Sequence, residues 1–110
     1  MSEVHELEKQ RENYKKLMHK RDLALKLQKS SAFKELILDE YCTKECARYV
    51  GVAGDPAISK EDRDLALEMG KAAQHFKRWL EVTIRMGDQA EYQMPELDNA
   101  IETARVEEGE

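Results

Sequence analysis

No proline or glycine occurs between Met1 and Val50, and this uninterrupted start limits what the chain can fold into. Proline and glycine punctuate a chain at its turns, so their absence over so long a stretch argues against an all-β fold. The chain is rich in Ala, Leu, Glu, Lys, Arg, Gln and Met, which are strong helix formers. Its 110 residues are enough for one domain with a modest core. We therefore predict an all-α fold.

The first predicted helix spans residues 3–28 and is long and highly charged. Its apolar residues follow a seven-residue repeat that Arg11, Arg21 and Gln28 interrupt. The members of the repeat are Val4, Leu7, Tyr14, Met18 and Leu25. An apolar seam broken in this way is too weak to hold a helix in water without a partner. We predict that residues 1–29 form an extended helix whose first half either leans on another chain, as an oligomerisation or docking arm, or frays.

A second helix is predicted to begin at Ser30-Ser31, because either hydroxyl can cap a new helix. Apolar side chains then recur at helical spacing: Phe33, Leu36, Ile37, Tyr41 and Cys42. This spacing predicts a helix over about 31–50. Gly51 lies where a left-handed C-terminal cap belongs, and residues 51–56 are typical of a loop between two helices.

The segment Ser59–Asp62 matches a capping box, which begins the third predicted helix. Apolar residues then step along it at three and four positions: Leu65, Met69, Ala72, Phe76, Leu80 and Thr83. We predict that this helix covers about 60–86 and that Gly87 ends or kinks it. Pro95 suits the first turn of a short last helix, which a mobile acidic tail follows.

Together these elements predict an extended N-terminal helix, a helical hairpin core over 30–94 and a short C-terminal helix over 95–110. The fold thus has three main helices and a short fourth. The large apolar side chains are the candidates for core or interface positions: Leu7, Tyr14, Met18, Leu25, Phe33, Tyr41, Phe76 and Trp79. Trp79 is the single tryptophan; a core position is the favoured interpretation and an interface anchor the alternative.

One five-residue segment occurs twice, since RDLAL spans both 21–25 and 63–67. A duplicated helix-hairpin unit is one interpretation, and coincidence among helix-favouring residues is the other. Repeat arrays need about three units to bury a continuous core, so we favour coincidence.

The residues that commonly carry chemistry do not form a recognisable site. Cys42 and Cys46 share a helix face, but they match neither a C-x-x-C motif nor a zinc site with a second ligand pair. We interpret them as two small, semi-buried hydrophobic residues, with an intermolecular disulfide left open. His5, His19 and His75 are scattered, and no phosphate-binding loop or activated nucleophile is evident. We predict a protein that is not an enzyme and has no catalytic, cofactor-binding or metal-binding residues.

The net charge of −5 argues against nonspecific nucleic-acid binding by the whole surface. The charge is uneven, however, because residues 1–35 hold nine Lys and Arg against six Asp and Glu. Lys15, Lys16 and Lys20 in this segment are candidate nucleic-acid contacts. Interleaved glutamates supply ordinary helix-surface ion pairs, so a solvated or partner-facing surface is favoured. A DNA-associated packaging or regulatory protein that uses the first helix is the alternative.

The start of the chain, with Glu3, Glu6 and Glu8, does not resemble a signal peptide, and no apolar stretch approaches membrane-spanning length. Two cysteines do not make a disulfide framework in a chain of this size. We expect a cytoplasm-like compartment or a particle assembled there, with no membrane and no small-molecule substrate as partner.

The middle of the chain, roughly residues 20–90, resembles a family of small helical proteins encoded among the virion genes of tailed bacteriophages. The residues that carry the resemblance are Phe33–Tyr41, Glu45, Arg48–Val50, Asp55-Pro56, Phe76-x-x-Trp79 and Arg85–Gly87. Members usually have a charged leading helix, a helix–loop–helix middle and an acidic end, whereas Cys42 and Cys46 are not part of their pattern. The resemblance implies a structural or assembly role in a virion, through contacts with other virion proteins and with copies of the chain itself. Head decoration, a connector or neck position and an assembly role all remain open.

Overall fold

The computed structural model describes residues 2–109, which form three helices and no strand. Helix α1 spans Glu3–Lys29, α2 covers 31–53 and α3 spans Lys60–Glu107. The predicted all-α class and the three main helices are thereby confirmed.

Serine side chains cap two of these helices, as the sequence predicts. The backbone of Ser30 is extended, and its Oγ accepts a hydrogen bond from the Phe33 N–H at 3.3 Å. The Ser59 Oγ accepts from the Asp62 N–H at 3.2 Å. Each hydroxyl satisfies a backbone donor that a helix start leaves without a partner, which explains why α2 and α3 begin where they do.

Helix α2 is a π-helix over Lys34–Glu45, between α-helical turns at Ser31–Phe33 and Cys46–Ala53. In a π-helix the hydrogen bonds step back five residues instead of four, so side chains on one face lie further apart in sequence. Phe33 and Cys42 are both buried, while Leu36 between them is 64% exposed. The prediction that Leu36 belongs to the apolar face is therefore wrong, because the π-helical winding places its side chain on a different side of the helix.

The predicted end of α2 at Gly51 is also wrong. Gly51 lies inside the helix, which continues to Ala53, and the C-terminal cap is Gly54. The φ of Gly54 is −93°, so this end uses no left-handed residue. Its N–H donates to the Val50 carbonyl, which closes the last turn.

The predicted short C-terminal helix is wrong, because α3 continues through both Gly87 and Pro95 to Glu107. Gly87 is buried and lies against α1, where a Cβ would come within 2.1 Å of the Arg21 Cβ. The glycine therefore allows a close helix approach and does not end the helix. Pro95 lacks an N–H and cannot donate to the carbonyl of Glu91, yet the helix persists on both sides of it.

The chain divides into two compact units. One unit comprises the chain up to Leu25 together with the chain from Val82 onward, and the other comprises Lys26–Glu81. In the first unit α1 runs antiparallel to the C-terminal part of α3. Its buried apolar residues are Val4, Ala24, Ala90, Leu97, Ile101 and Ala104. The partner that the weak seam of α1 requires is thus supplied by the chain itself.

In the second unit α2 runs antiparallel to the N-terminal part of α3. The buried apolar residues of this unit are Phe33, Cys42, Cys46, Ala66, Ala73 and Leu80. Four of the six are alanine or cysteine, and such small side chains allow the two helix backbones to lie close together. A core of small residues leaves much of the larger apolar surface of α3 outside the helix contact.

Candidate interaction surface

The apolar residues predicted on α3 occupy a wider part of the helix surface than the part that α2 covers. Leu65, Met69 and Trp79 are 59%, 44% and 61% exposed, and Ala72 is exposed as well. With the half-buried Phe76 they follow each other at three and four positions, so all five share one side of the helix. We call these five residues, Leu65, Met69, Ala72, Phe76 and Trp79, the α3 stripe.

Contacts with α2 occupy the neighbouring side of α3. The Cys46 Sγ donates to the Gly70 carbonyl at 3.6 Å, and the Gln74 Nε2 donates to the Cys42 carbonyl at 3.2 Å. Gly70 and Gln74 lie on the far side of the buried residue Ala73 from the α3 stripe. Helix α2 thus covers the Ala73 side and leaves most of the stripe open to solvent.

Phe76 joins the α3 stripe to the packed interior. Its ring centroid lies 6.4 Å from that of the buried Phe33, with the two planes tilted by 47°. Such a tilted arrangement is favourable for two aromatic rings. Phe76 therefore links the α3 stripe to the contact between α2 and α3. This link fixes the position of the stripe on the surface of the second unit.

The predicted candidate residues fall into three environments. Phe33 is buried, whereas Leu7, Tyr14, Met18 and Phe76 are half-buried. Leu25 and Tyr41 lie at the edge of exposure, at 37% and 36%. Trp79, at 61%, is the most exposed of the set. Leu36, Leu65 and Met69 were not singled out as candidates, although each is more exposed than Leu25.

Polar groups of α1 pair with residues of α3 in the first unit. The Arg11 Nε donates to Asp98 at 2.7 Å, and the Tyr14 hydroxyl donates to Gln93 at 3.0 Å. Arg105 also forms an ion pair with Glu8. The two ion pairs and the hydrogen bond join α1 to α3 through polar side chains, and they explain why α1 needs so few apolar residues to dock.

Arg21 is a buried charge of the first unit, with 8% of its surface exposed. Its Nη1 donates to Asp88 at 3.1 Å, to Glu91 at 3.2 Å and to the Gly87 carbonyl at 3.5 Å. The hydrogen bond with Glu91 raises the pKa of Arg21, and the contacts with Asp22 and Asp88 add to the rise while burial opposes it. Arg21 thus remains charged and ties α1 to α3.

The candidate nucleic-acid contacts Lys15, Lys16 and Lys20 are all exposed on α1. Lys15 forms an ion pair with Glu12 at 3.3 Å. Arg11 and Arg21, on the same helix, are held by carboxylates of α3. Part of the basic charge of the first helix is therefore neutralised within the first unit.

The two RDLAL segments occupy similar environments. Ala24 and Ala66 are both buried, while Leu23 and Leu65 are 53% and 59% exposed. In each copy the alanine faces a neighbouring helix and the preceding leucine faces solvent. This similarity follows from the same helical period in two helix pairs, so coincidence remains a sufficient explanation.

Cys42 and Cys46 are buried and free, and no disulfide joins them. Burial raises the pKa of the Cys42 thiol, while the nearby Lys77 partly opposes this rise. Both effects of burial, a raised pKa and restricted access, make a thiol unreactive. Among residues 2–109, no group of three or more His, Cys, Asp and Glu side chains is placed to hold a metal ion.

We expect iodoacetamide to label Cys42 and Cys46 at least about tenfold more slowly in the folded chain than in guanidinium, because alkylation requires local opening and a thiolate. Quantifying the two cysteine peptides by mass spectrometry over time measures this ratio. Equal rates in the folded and the unfolded chain would show that the thiols are exposed and would contradict their placement between α2 and α3.

Within the part of the chain that the structure describes, none of the helices is both long enough and apolar enough to cross a membrane. Comparison of the chain with family models, with curated proteins and with solved structures finds no match.

Proposed function

We propose that this chain is a non-enzymatic structural or assembly protein that works through helix-mediated contacts with other proteins. The exposed α3 stripe is the observation that supports this proposal most directly. Three of its large apolar side chains, Leu65, Met69 and Trp79, expose roughly half of their surface each. Contiguous exposed apolar residues that include a tryptophan are characteristic of protein interfaces.

We further propose that the assembly is the virion of a tailed bacteriophage. The resemblance to virion proteins supports this, and two of the residues that carry it, Phe76 and Trp79, belong to the α3 stripe. If the resemblance reflects a shared way of contacting neighbours, the stripe is the surface through which this chain joins the particle. A decoration, a connector or neck, and an assembly role are all compatible with such a contact.

The virion proposal is tested on particles produced by the genome that encodes the chain. Particles and assembly intermediates are separated on a density gradient and their proteins are identified by mass spectrometry. We expect the chain to co-sediment with one of these species, and Trp79→Glu to reduce its incorporation. Absence of the chain from every species, together with unchanged particle yield when its gene is deleted, would overturn the proposal.

The alternative, a DNA-associated protein that uses α1, makes a different prediction. DNA affinity would fall steeply with salt and would be lost when Lys15, Lys16 and Lys20 are all changed to glutamate. Because Arg21 is buried against carboxylates of α3 and the net charge of the chain is −5, we expect no measurable binding to duplex DNA even at low salt. A fluorescence-anisotropy titration at several salt concentrations decides between the two outcomes.

A further inference from the structure

We propose that the α3 stripe is a self-association surface, at which two copies of this chain pair antiparallel about a two-fold axis at Ala72. This inference deepens the proposed function, on which it rests, by naming one partner of the stripe as a second copy of the chain. The proposal is supported by the order of apolar and charged residues along α3. When one copy of the helix is reversed, its apolar residues meet apolar residues of the other copy, and its acidic residues meet basic ones.

The apolar residues match in such a pairing. Ala72 is the central member of the stripe, with Leu65 seven positions before it and Trp79 seven positions after it. A two-fold axis at Ala72 therefore places the exposed Trp79 of one copy on the exposed Leu65 of the other. Met69 of one copy comes to lie beside Phe76 of the other. The small side chain at the centre allows the two helices to approach closely.

The charges that flank the stripe also match. Glu61, Asp64 and Glu68 precede its centre on the solvent side, and all three are exposed. The exposed residues Lys71 and Arg78 lie on the same flank at and beyond the centre. An antiparallel partner brings the acidic part of one copy against the basic part of the other, whereas a parallel partner would set this flank against the side of α3 that α2 covers. The charge order is thus complementary between antiparallel copies.

Intrachain ion pairs on this flank do not cancel the difference in charge between its acidic and its basic part. Lys60 reaches Asp64 at 2.8 Å and Lys71 reaches Glu68 at 3.3 Å. Both pairs are exposed, and such pairs are weak and exchange readily with other partners. Glu61 and Arg78, at opposite ends of the flank, therefore add to the attraction between antiparallel copies.

Analytical ultracentrifugation of the full chain measures the association. We expect a dimer at about 100 μM chain, with Trp79→Glu raising the Kd at least about tenfold. Tyr92→Glu is the matched control, because Tyr92 is an 86% exposed aromatic residue of α3 outside the stripe. Far-UV circular dichroism verifies that each variant is still helical. A monomeric wild-type chain, or a dimer that Trp79→Glu leaves unchanged, overturns the proposal.

A cysteine at the axis tests the register. Ala72→Cys places two thiols face to face across the two-fold axis, so mild oxidation should yield a covalent dimer. Ala100→Cys is the control, since Ala100 is also an exposed alanine of α3 and lies outside the stripe. Cys42 and Cys46 are buried and can stay in place. Equal cross-linking of both variants would reject the proposed register.

Charge exchange tests the direction of pairing. Glu68→Lys and Arg78→Glu should each weaken the dimer, and the two changes in one chain should restore it, because the complementary order is then merely reversed. Failure of the double variant to recover would exclude the antiparallel arrangement. A monomeric chain that is nevertheless found in virus particles would overturn self-association and leave the virion proposal standing. A stable dimer that is absent from every particle species would overturn the virion proposal and leave self-association standing.

Discussion

Replacing Gly87 with alanine should lower the free energy of unfolding by about 1–3 kcal/mol, a cost typical of overpacking a close contact. A Cβ at this position would lie 2.1 Å from the Arg21 Cβ and 2.9 Å from the Leu17 carbonyl oxygen. Neither neighbour is the far end of a flexible side chain, so α1 and α3 must move apart to admit the methyl group. Urea denaturation followed by circular dichroism measures the change as a lower midpoint at constant slope.

Gly70→Ala is the matched control for this variant. Gly70 is also a buried glycine inside α3, but an added Cβ there would meet its nearest neighbour, the Tyr49 Cβ, at an ordinary 3.7 Å. Alanine favours the helix over glycine by about 0.5–1 kcal/mol, so this variant should be as stable as the wild type or more so. If Gly87→Ala proved equally harmless, the close approach at Arg21 would be refuted.

The two glycines also show where prediction from the sequence stops. The sequence predicts that Gly87 ends or kinks the third helix, because glycine is a common helix breaker. Its actual role depends on Arg21, a residue far away in the sequence that meets it only in the folded unit. Local patterns such as the serine caps at Ser30 and Ser59 could be predicted, since each involves only its own turn.

The extent of α3 could not be predicted for a related reason. Pro95 and Gly87 both signal a helix end locally, yet packing against α1 keeps the helix intact across them. Arg21 contributes by bonding to Asp88 and Glu91, which lie between the two breakers. Tertiary contacts of this kind override the propensity of single residues.

The candidate surface was partly predictable. The spacing of Leu65, Met69 and Phe76 showed that α3 has an apolar side, but not which part of that side a partner helix covers. That choice depends on the packing of small residues, since Ala66 and Ala73 face α2 and the larger side chains next to them do not. The sequence allows both a core and an interface position for Trp79, and the structure adds that its side chain is 61% exposed next to the buried Leu80.

Leu80→Ala should destabilise the chain by about 2–5 kcal/mol, whereas Trp79→Ala, one residue earlier, should cost about 1 kcal/mol or less. Leu80 is 2% exposed and its removal leaves a cavity between helices, while Trp79 is 61% exposed and buries only the smaller part of its surface. The larger side chain thus has the smaller effect. Urea denaturation at a chain concentration low enough to keep the protein monomeric measures both values.

The contrast between these two neighbours tests the basis of the proposed interface. An interface residue is conspicuous because its removal costs little in the monomer and much in the complex. Trp79→Ala should therefore weaken the dimer strongly at high concentration, although it leaves the stability of the monomer nearly unchanged. A cost in the monomer as large as that of Leu80→Ala would show that Trp79 belongs to the packed core, and the α3 stripe would then lack its principal contact residue.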